Sequence, residues 1–236
     1  MKSHYIKDTV VFEESQQDLV FAMLSEMDTE IDTFLDIGAH TGHWTTHTGS
    51  KFQNVIAIEA SPENWDALDA RILGYDMRST EVSVFRAAAL DKPATIRMKK
   101  HFSLSKDPYY GGMRCYVNLE AGEFEVPANT VDHFTESATT VNLIKMDIEG
   151  FEPVAWLGML ETVRNSEPAI MVMEIEDRWL GRARRYLKTS VTADRFRKEV
   201  CQEGYAAFCH PSKMNDTIFI RNEFQNVSSK FGLVPA

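Results

Sequence analysis

The sequence predicts an α/β domain: a mostly parallel sheet with helices on both faces. Three observations lead there. Segments with the two-residue period of strands alternate along the chain with segments of helical period. A glycine turn follows the first apolar strand, where an open sheet receives its ligands. A later apolar strand, Val141 to Met146, runs into the charged residues Asp147 and Glu149 at its end. With 236 residues, 44% of them hydrophobic, the chain can fill one core and reads as a single domain.

The elements follow in order. Ser15 to Met27 carries Leu19, Val20, Met23 and Leu24 at helical spacing, so residues 1–32 form a helical segment leading into a strand from Thr33. His43 to Ser50 is polar and rich in Thr, which predicts a short or poorly formed helix. Val55 to Ile58 is the second strand and ends on Glu59. Ser61 as N-cap and Pro62 as first helical residue start a helix through Trp65, Leu68 and Ile72 that stops near Gly74. Val82 to Ala89 is the third strand, and Ala94 to Lys100 a further strand where a helix would be expected. Residues 101–129, with Tyr109, Tyr110, Gly111 and Gly112, have no steady period and read as an insertion near the substrate site. The alternation then resumes with a strand over Val141 to Met146, a helix over Pro153 to Val163, a strand over Ala169 to Ile175 and a helix over Thr192 to Glu203. Tyr205 to Cys209 and Thr217 to Arg221 form a hairpin through Pro211 to Asp216, and residues 222–236 are a tail.

Composition narrows the partners. A net charge of −10 argues against nucleic acid, whose binding depends on neutralising phosphates, and favours a small-molecule or carbohydrate substrate. No stretch approaches the ~20 apolar residues of a membrane span. Met1 to Val11 is charged and lacks the apolar run of a signal peptide. Cys115, Cys201 and Cys209 match no metal or redox spacing and suit a reducing compartment, so a cytoplasmic location is expected.

The segment Thr33 to Glu59 carries the first functional signal. Its FLDIGAHTGHW turn lets Gly38 and Gly42 bring backbone close to a ligand, and Glu59, about twenty residues beyond the turn, can accept both hydroxyl hydrogens of an adenosyl ribose. A dinucleotide fingerprint would read G-x-G-x-x-G, whereas this chain has Asp36 at the first position and the order D-x-G-x-x-x-G. An acid there repels a pyrophosphate and suits the ammonium and sulfonium of S-adenosylmethionine. The second signal is VNLIKMDIEG: Lys145, Asp147 and Glu149 fall at the carboxyl edge of a buried strand, beside the ligand crevice.

On these residues the chain resembles the FkbM-type family of S-adenosylmethionine-dependent methyltransferases, over about Thr33 to Glu176. The matching positions are Asp36, Gly38, Ala39 and Gly42; Glu59, Pro62 and Asn64; Ala89 and Leu90; and Val131 and Asp132 ahead of the family's L-I-K-x-D-x-E-G signature. That signature is met by Leu143, Ile144, Lys145, Asp147, Glu149 and Gly150, and the P-x-x-x-x-x-E strand by Pro168 and Glu174. His40 stands where the family often has Asn, and Asp91 with Lys92 where it commonly has Gly-Asp. The resemblance implies a Rossmann-like class I methyltransferase fold of seven strands with the last antiparallel. It also implies O-methylation of a sugar, glycan or natural-product hydroxyl.

Asp36, with the backbone through Ala39, His40 and Thr41 to Gly42, is then expected to hold the methionine portion. Glu59 and Ala60 take the ribose, and Ala88, Ala89 and Leu90 the adenine side, with Asp147 bordering the cofactor. An alcohol is a poor nucleophile until a base takes its proton, and Asp147 and Glu149, with Lys145 beside them, are the candidates; His40 is a second one. The same acids with Glu174 and Glu176 could instead hold a divalent cation, or pair with Lys145 for structure alone; no metal ligand is assigned. His43 and His47 lie one helical turn apart, yet zinc needs further ligands close by. Arg178, Arg182, Arg184, Arg185 and Lys188 form a basic run in an acidic chain, from which Arg182 is a candidate for an anionic part of the substrate. Tyr109 and Tyr110 are candidates for a platform over a sugar. The alternatives in other classes are a non-catalytic S-adenosylmethionine-binding protein and a nicotinamide-dependent oxidoreductase.

Overall fold

The structure is a computed structural model and describes residues 16–29, 31–102, 113–117, 122–138, 140–210 and 213–236. The first half runs α1 (16–26), β1 (Thr33–Ile37), α2 (His43–His47), β2 (Asn54–Ile58), α3 (Pro62–Gly74), β3 (Glu81–Phe85), β4 (Ala88–Ala89), β5 (Ala94–Phe102), β6 (Met113–Val117) and β7 (Phe124–Asn129). The second runs α4 (Val131–Phe134), β8 (Val141–Met146), α5 (Glu152–Leu157), α6 (Leu160–Ser166), β9 (Ile170–Glu174), α7 (Gly181–Leu187), α8 (Ala193–Gln202), β10 (Tyr205–His210), β11 (Lys213–Arg221), α9 (Val227–Lys230) and β12 (Val234–Pro235).

Strand alternation decides how the central sheet is covered. In β1, β8 and β9 one parity set, Leu35, Ile37, Ile144, Met146, Met171 and Met173, packs against Trp156 of α5, Val163 of α6 and Phe196 of α8. The other set, Phe34, Leu143, Ile170 and Val172, packs with Ile218 of β11 against Val20, Met23 and Leu24 of α1, Trp44 of α2 and Val227 of α9. Trp156 is fully buried, its ring 6.2 Å from Phe196 and edge-on to it; burying a side chain of this kind contributes about 1.5–3 kcal/mol. The sheet order is β12-β10-β11-β9-β8-β1-β2-β3. β3, β2, β1, β8 and β9 pair in parallel, and β11 runs antiparallel to both β9 and β10. The sheet is therefore mostly parallel with antiparallel strands at its C-terminal side, and two-residue β12 is added antiparallel to β10 as an eighth strand.

Several elements differ from the periods read in the sequence. The strand expected over Val82 to Ala89 is two strands: β3 ends where the Phe85 carbonyl accepts from the Glu59 amide, and β4 crosses to a second sheet of order β4-β7-β5-β6. That sheet takes in β6 and β7 from the stretch without period. The helix expected over Pro153 to Val163 is α5 and α6, broken at Gly158. A Cβ on Gly158 would lie 2.0 Å from the Leu90 carbonyl oxygen, so the turn is pressed against the end of β4. The hairpin is tighter than expected, because β11 begins at Lys213. Arg182, Arg184 and Arg185 of the basic run lie in α7, and residues 222–236 carry α9 and β12, with Val227 and Leu233 buried.

Candidate active site

The first turn is built by backbone. The Gly38 and Ala39 amides both donate to the Ile58 carbonyl (2.9 and 3.1 Å), and the Gly42 amide donates to the Ala39 carbonyl (2.8 Å). Gly38 and Gly42 have φ of +83°, a left-handed conformation natural to glycine. A Cβ on Gly38 would lie 2.0 Å from the Asp147 carbonyl oxygen, so the turns after β1 and β8 touch backbone to backbone. The Asp147 amide completes the seam by donating to the Ile37 carbonyl (3.0 Å).

Glu59 fastens this turn to the end of β2. Its Oε2 accepts from the His40 amide (2.7 Å), and its Oε1 accepts from the Ser61 amide (2.8 Å) and Asn64 Nδ2 (3.0 Å). Burial pushes its carboxyl above the ordinary value against those three donors. His40 itself is exposed and left-handed (φ +53°), its Nδ1 3.4 Å from Thr41 Oγ1. Ala39 is buried and Ala60 half-buried. Ala88, Ala89 and Leu90 are buried where β4 meets β7, and the Leu90 amide donates to the Asn129 carbonyl (2.9 Å). The neighbouring Asp91 accepts from Tyr186 of α7 (2.7 Å).

Alternation brings the charged residues together. Asp36 follows the parity of Phe34, Lys145 and Asp147 that of Leu143, and Glu174 that of Ile170 and Val172, so all four lie on one face at the carboxyl edge. Asp36 and Lys145 are register neighbours. Asp36 is fully buried; Oδ2 accepts from Thr45 Oγ1 (2.6 Å), while Oδ1 has no hydrogen-bond partner among the described residues. Burial raises its pKa, opposed by the Lys145 charge. Lys145 Nζ lies 3.6 Å from Asp147 Oδ2 and donates to the Gly38 carbonyl (3.3 Å), bridging the two turns.

Glu149 is left-handed (φ +58°), and Gly150 after it (φ +91°) meets the Trp179 carbonyl, 2.2 Å from where a Cβ would be. Arg182 Nη1 donates to the Glu149 carbonyl (2.8 Å), which places this member of the basic run beside the second turn. Arg178 pairs instead with Glu176, and Arg184 with Asp177 (2.6 Å). Tyr109 and Tyr110 lie outside the described residues. His43 faces Arg71 (2.9 Å) and His47 faces Asp18 (3.0 Å), so the two imidazoles turn to different partners. Among the described residues no group of three or more His, Cys, Asp or Glu is arranged to hold a metal ion. No helix among them is long and apolar enough to cross a membrane.

Two further acids stand out in the structure: Glu152, which no sequence motif marks, and Glu174, the acid of the P-x-x-x-x-x-E strand. Glu152 opens α5 fully buried, its Oε1 accepting from the Ile148 and Gly150 amides (2.9 and 3.3 Å) while Oε2 has no partner among the described residues. Burial pushes this carboxyl up to about 8. Its signal was an acid just before the proline of a helix start, the place for a side chain that caps its own turn. Glu174 ends β9; burial, with Asp147, Glu152, Glu149 and Asp216 around it, pushes its carboxyl up to about 9. The sequence shows it as an acid closing an apolar strand and groups it with Asp147 and Glu149; Glu152 and Asp216 join it only in the fold.

Known proteins share the fold and the sequence profile of this chain. The crystal structure of the methyltransferase FkbM from Methylobacillus flagellatus shares the fold with a TM-score of 0.54 at 15% identity, over 80% of this chain and 43% of that one. The chain thus spans less than half of that protein's length. Magnesium protoporphyrin IX methyltransferase from Synechocystis, solved with bound S-adenosylmethionine, has a TM-score of 0.51 at 10% identity, over 94% of this chain and 85% of that one. At these identities the likeness is one of fold, that of the class I S-adenosylmethionine-dependent methyltransferases. No curated protein matches the chain. The sequence profile described as the methyltransferase FkbM domain matches residues 36–207, from the acid of the first turn to β10. The chain belongs to the FkbM methyltransferase domain family.

Proposed function

We propose that the protein is a cytoplasmic S-adenosylmethionine-dependent O-methyltransferase acting on a hydroxyl of a sugar, glycan or natural product. The observation that carries the reading is Asp36 Oδ1, a fully buried carboxylate oxygen without a partner among the described residues, at the tip of β1 beside a glycine turn. A buried, unsatisfied acceptor suits a cationic ligand and would repel a pyrophosphate.

When bound, S-adenosylmethionine supplies a methyl group on a sulfonium, open to in-line displacement. Asp36 and the backbone of Gly38, Ala39, His40, Thr41 and Gly42 would hold its methionine portion, and Ala88, Ala89 and Leu90 its adenine side. Glu59 and Ala60 would take the ribose; a carboxylate has about four acceptor sites, and three on Glu59 are used within the protein. Asp147, bordering the donor, positions or activates the acceptor hydroxyl, with the Lys145 ammonium 3.6 Å from its carboxylate; Glu149 and the exposed His40 stand on the rim. Alignment of acceptor and methyl supplies ~7 to 11 kcal/mol of the barrier reduction. Residues 101–129, with Tyr109 and Tyr110, and Arg182 beside Glu149 select the acceptor, a small molecule or carbohydrate rather than nucleic acid for a protein of net charge −10.

Calorimetry tests the donor: S-adenosylhomocysteine is expected to bind and NAD not to, and the opposite result overturns the reading. A mass-spectrometric search of extract incubated with methyl-labelled donor identifies the acceptor; a labelled product methylated on nitrogen or carbon removes the hydroxyl assignment.

A further inference from the structure

We propose that Thr45 is a positioning residue of the donor site: its hydroxyl fixes the Asp36 carboxylate so that the other oxygen of that group is presented to the ammonium of the methyl donor. The inference rests on the methyltransferase reading above.

The contact joins the two ends of the first turn. Asp36 stands in β1 and Thr45 in α2, with Gly38 to Gly42 looped between them. Both side chains are fully buried. Thr45 Oγ1 donates to Asp36 Oδ2 at 2.6 Å, the short separation of a hydroxyl bonded to a charged carboxylate. The Thr45 amide acts on the same carboxyl. The helix itself does not call for this bond. A buried hydroxyl in a helix ordinarily bonds the carbonyl four residues back, and the neighbouring Thr46 does so with Gly42 (2.8 Å). Thr48, also buried, turns to Gln17 of α1 (3.4 Å). Of these three threonines Thr45 alone directs its one hydroxyl proton at the acid of the donor turn.

Two consequences follow for a cationic ligand. The terminal torsion of an aspartate is broad and nearly two-fold, so a carboxylate without a donor has no preferred oxygen to offer. With Oδ2 held by Thr45, Oδ1 is the oxygen left without a hydrogen-bond partner among the described residues. The second consequence concerns charge. Burial disfavours the ionised form of Asp36, and the Thr45 hydroxyl, with the Lys145 charge, opposes it. Without that hydroxyl the buried carboxylate would lack a side-chain donor on either oxygen, and the ammonium would meet a group both less fixed and more readily protonated.

Calorimetry with two ligands tests the proposal without knowledge of the acceptor. S-adenosylhomocysteine carries the ammonium and carboxylate of the donor's amino acid, whereas 5′-methylthioadenosine keeps adenine, ribose and sulfur and lacks both. Thr45→Val retains the branched shape and removes the hydroxyl; S-adenosylhomocysteine should then bind about tenfold or more weakly, while the Kd of 5′-methylthioadenosine stays within about twofold of native. Thr45→Ser restores the donor and should recover most of the lost affinity. A merely structural threonine would weaken both ligands alike. Unchanged S-adenosylhomocysteine affinity in Thr45→Val, equal losses for the two ligands, or no recovery in Thr45→Ser would overturn the proposal. Should Thr45→Val fail to fold, Thr45→Ala removes the same hydroxyl with less bulk and gives the same comparison. If the native protein binds no S-adenosylhomocysteine, the methyltransferase reading itself falls, and this proposal with it.

Discussion

Replacing Glu152 by glutamine should make the protein more resistant to alkaline conditions. Glu152 is fully buried, and burial lifts its carboxyl from an ordinary value of 4.5 to about 8. Below pH 4.5 it is protonated in both folded and unfolded chains, and its contribution to stability is fully present. As the pH rises the unfolded chain ionises while the folded one stays neutral, so stability falls by about 1.4 kcal/mol per pH unit until the folded group ionises near pH 8. Glutamine keeps an acceptor for the Ile148 and Gly150 amides and cannot ionise. The stability difference between Glu152→Gln and the native protein should therefore grow by about 4 kcal/mol between about pH 5 and about pH 8. Glu174 weakens the native protein in the same direction but remains in both chains, so its own titration largely cancels. Urea unfolding at four pH values measures the difference directly. Parallel stability curves for the two proteins would refute the reasoning, since they would mean that Glu152 ionises alike in folded and unfolded chains.

Three further outcomes are expected. Gly38→Ala forces a side chain into a left-handed residue facing the Asp147 carbonyl, which costs about 1–2 kcal/mol in backbone strain and about 1–3 kcal/mol in overpacking. Thermal unfolding should show Tm lowered by roughly 5–15 °C, and an unchanged Tm would mean that the two turns do not touch. Glu59→Ala removes the acceptor for His40, Ser61 and Asn64 as well as the proposed ribose contact; S-adenosylhomocysteine should bind at least about tenfold more weakly by calorimetry, and unchanged affinity would move the ribose elsewhere. Asp147→Asn should cut incorporation of labelled methyl into extract products while circular dichroism and Tm stay native, and full incorporation would return Asp147 to a structural part.

Much of the architecture is written in local periods. β1, β2, β8 and β9 are each buried strands whose bounds lie close to those read from apolar runs, and Ser61–Pro62 marks the start of α3. What escapes is set by contacts distant in sequence. Gly158 splits a helix because of the Leu90 carbonyl, 68 residues earlier in the chain, a neighbour no window of eleven residues contains. β7 has only Val126 and Ala128 buried, too few apolar positions to announce a strand. α7 hid beneath its arginines, since Ala183 alone in it is buried. The same holds in the site. Asp36, Gly38 and Glu59 follow from a motif, and Asp147 and Glu149 are grouped with Glu174 by their strand ends, whereas Glu152 and Asp216 reach it from α5 and β11 through the tertiary fold.

The contact between Gly38 and the Asp147 carbonyl bears on how reproducibly the two halves of the crevice are spaced. Side chains hop among rotamers, but this seam contains none: it joins two backbones carried on adjacent, hydrogen-bonded strands. The spacing between the turns after β1 and β8 is thereby inherited from the pairing of the central strands. Side chains around the two turns can be exchanged without resetting the distance between them, the distance that a transferred methyl group would cross in the proposed reaction.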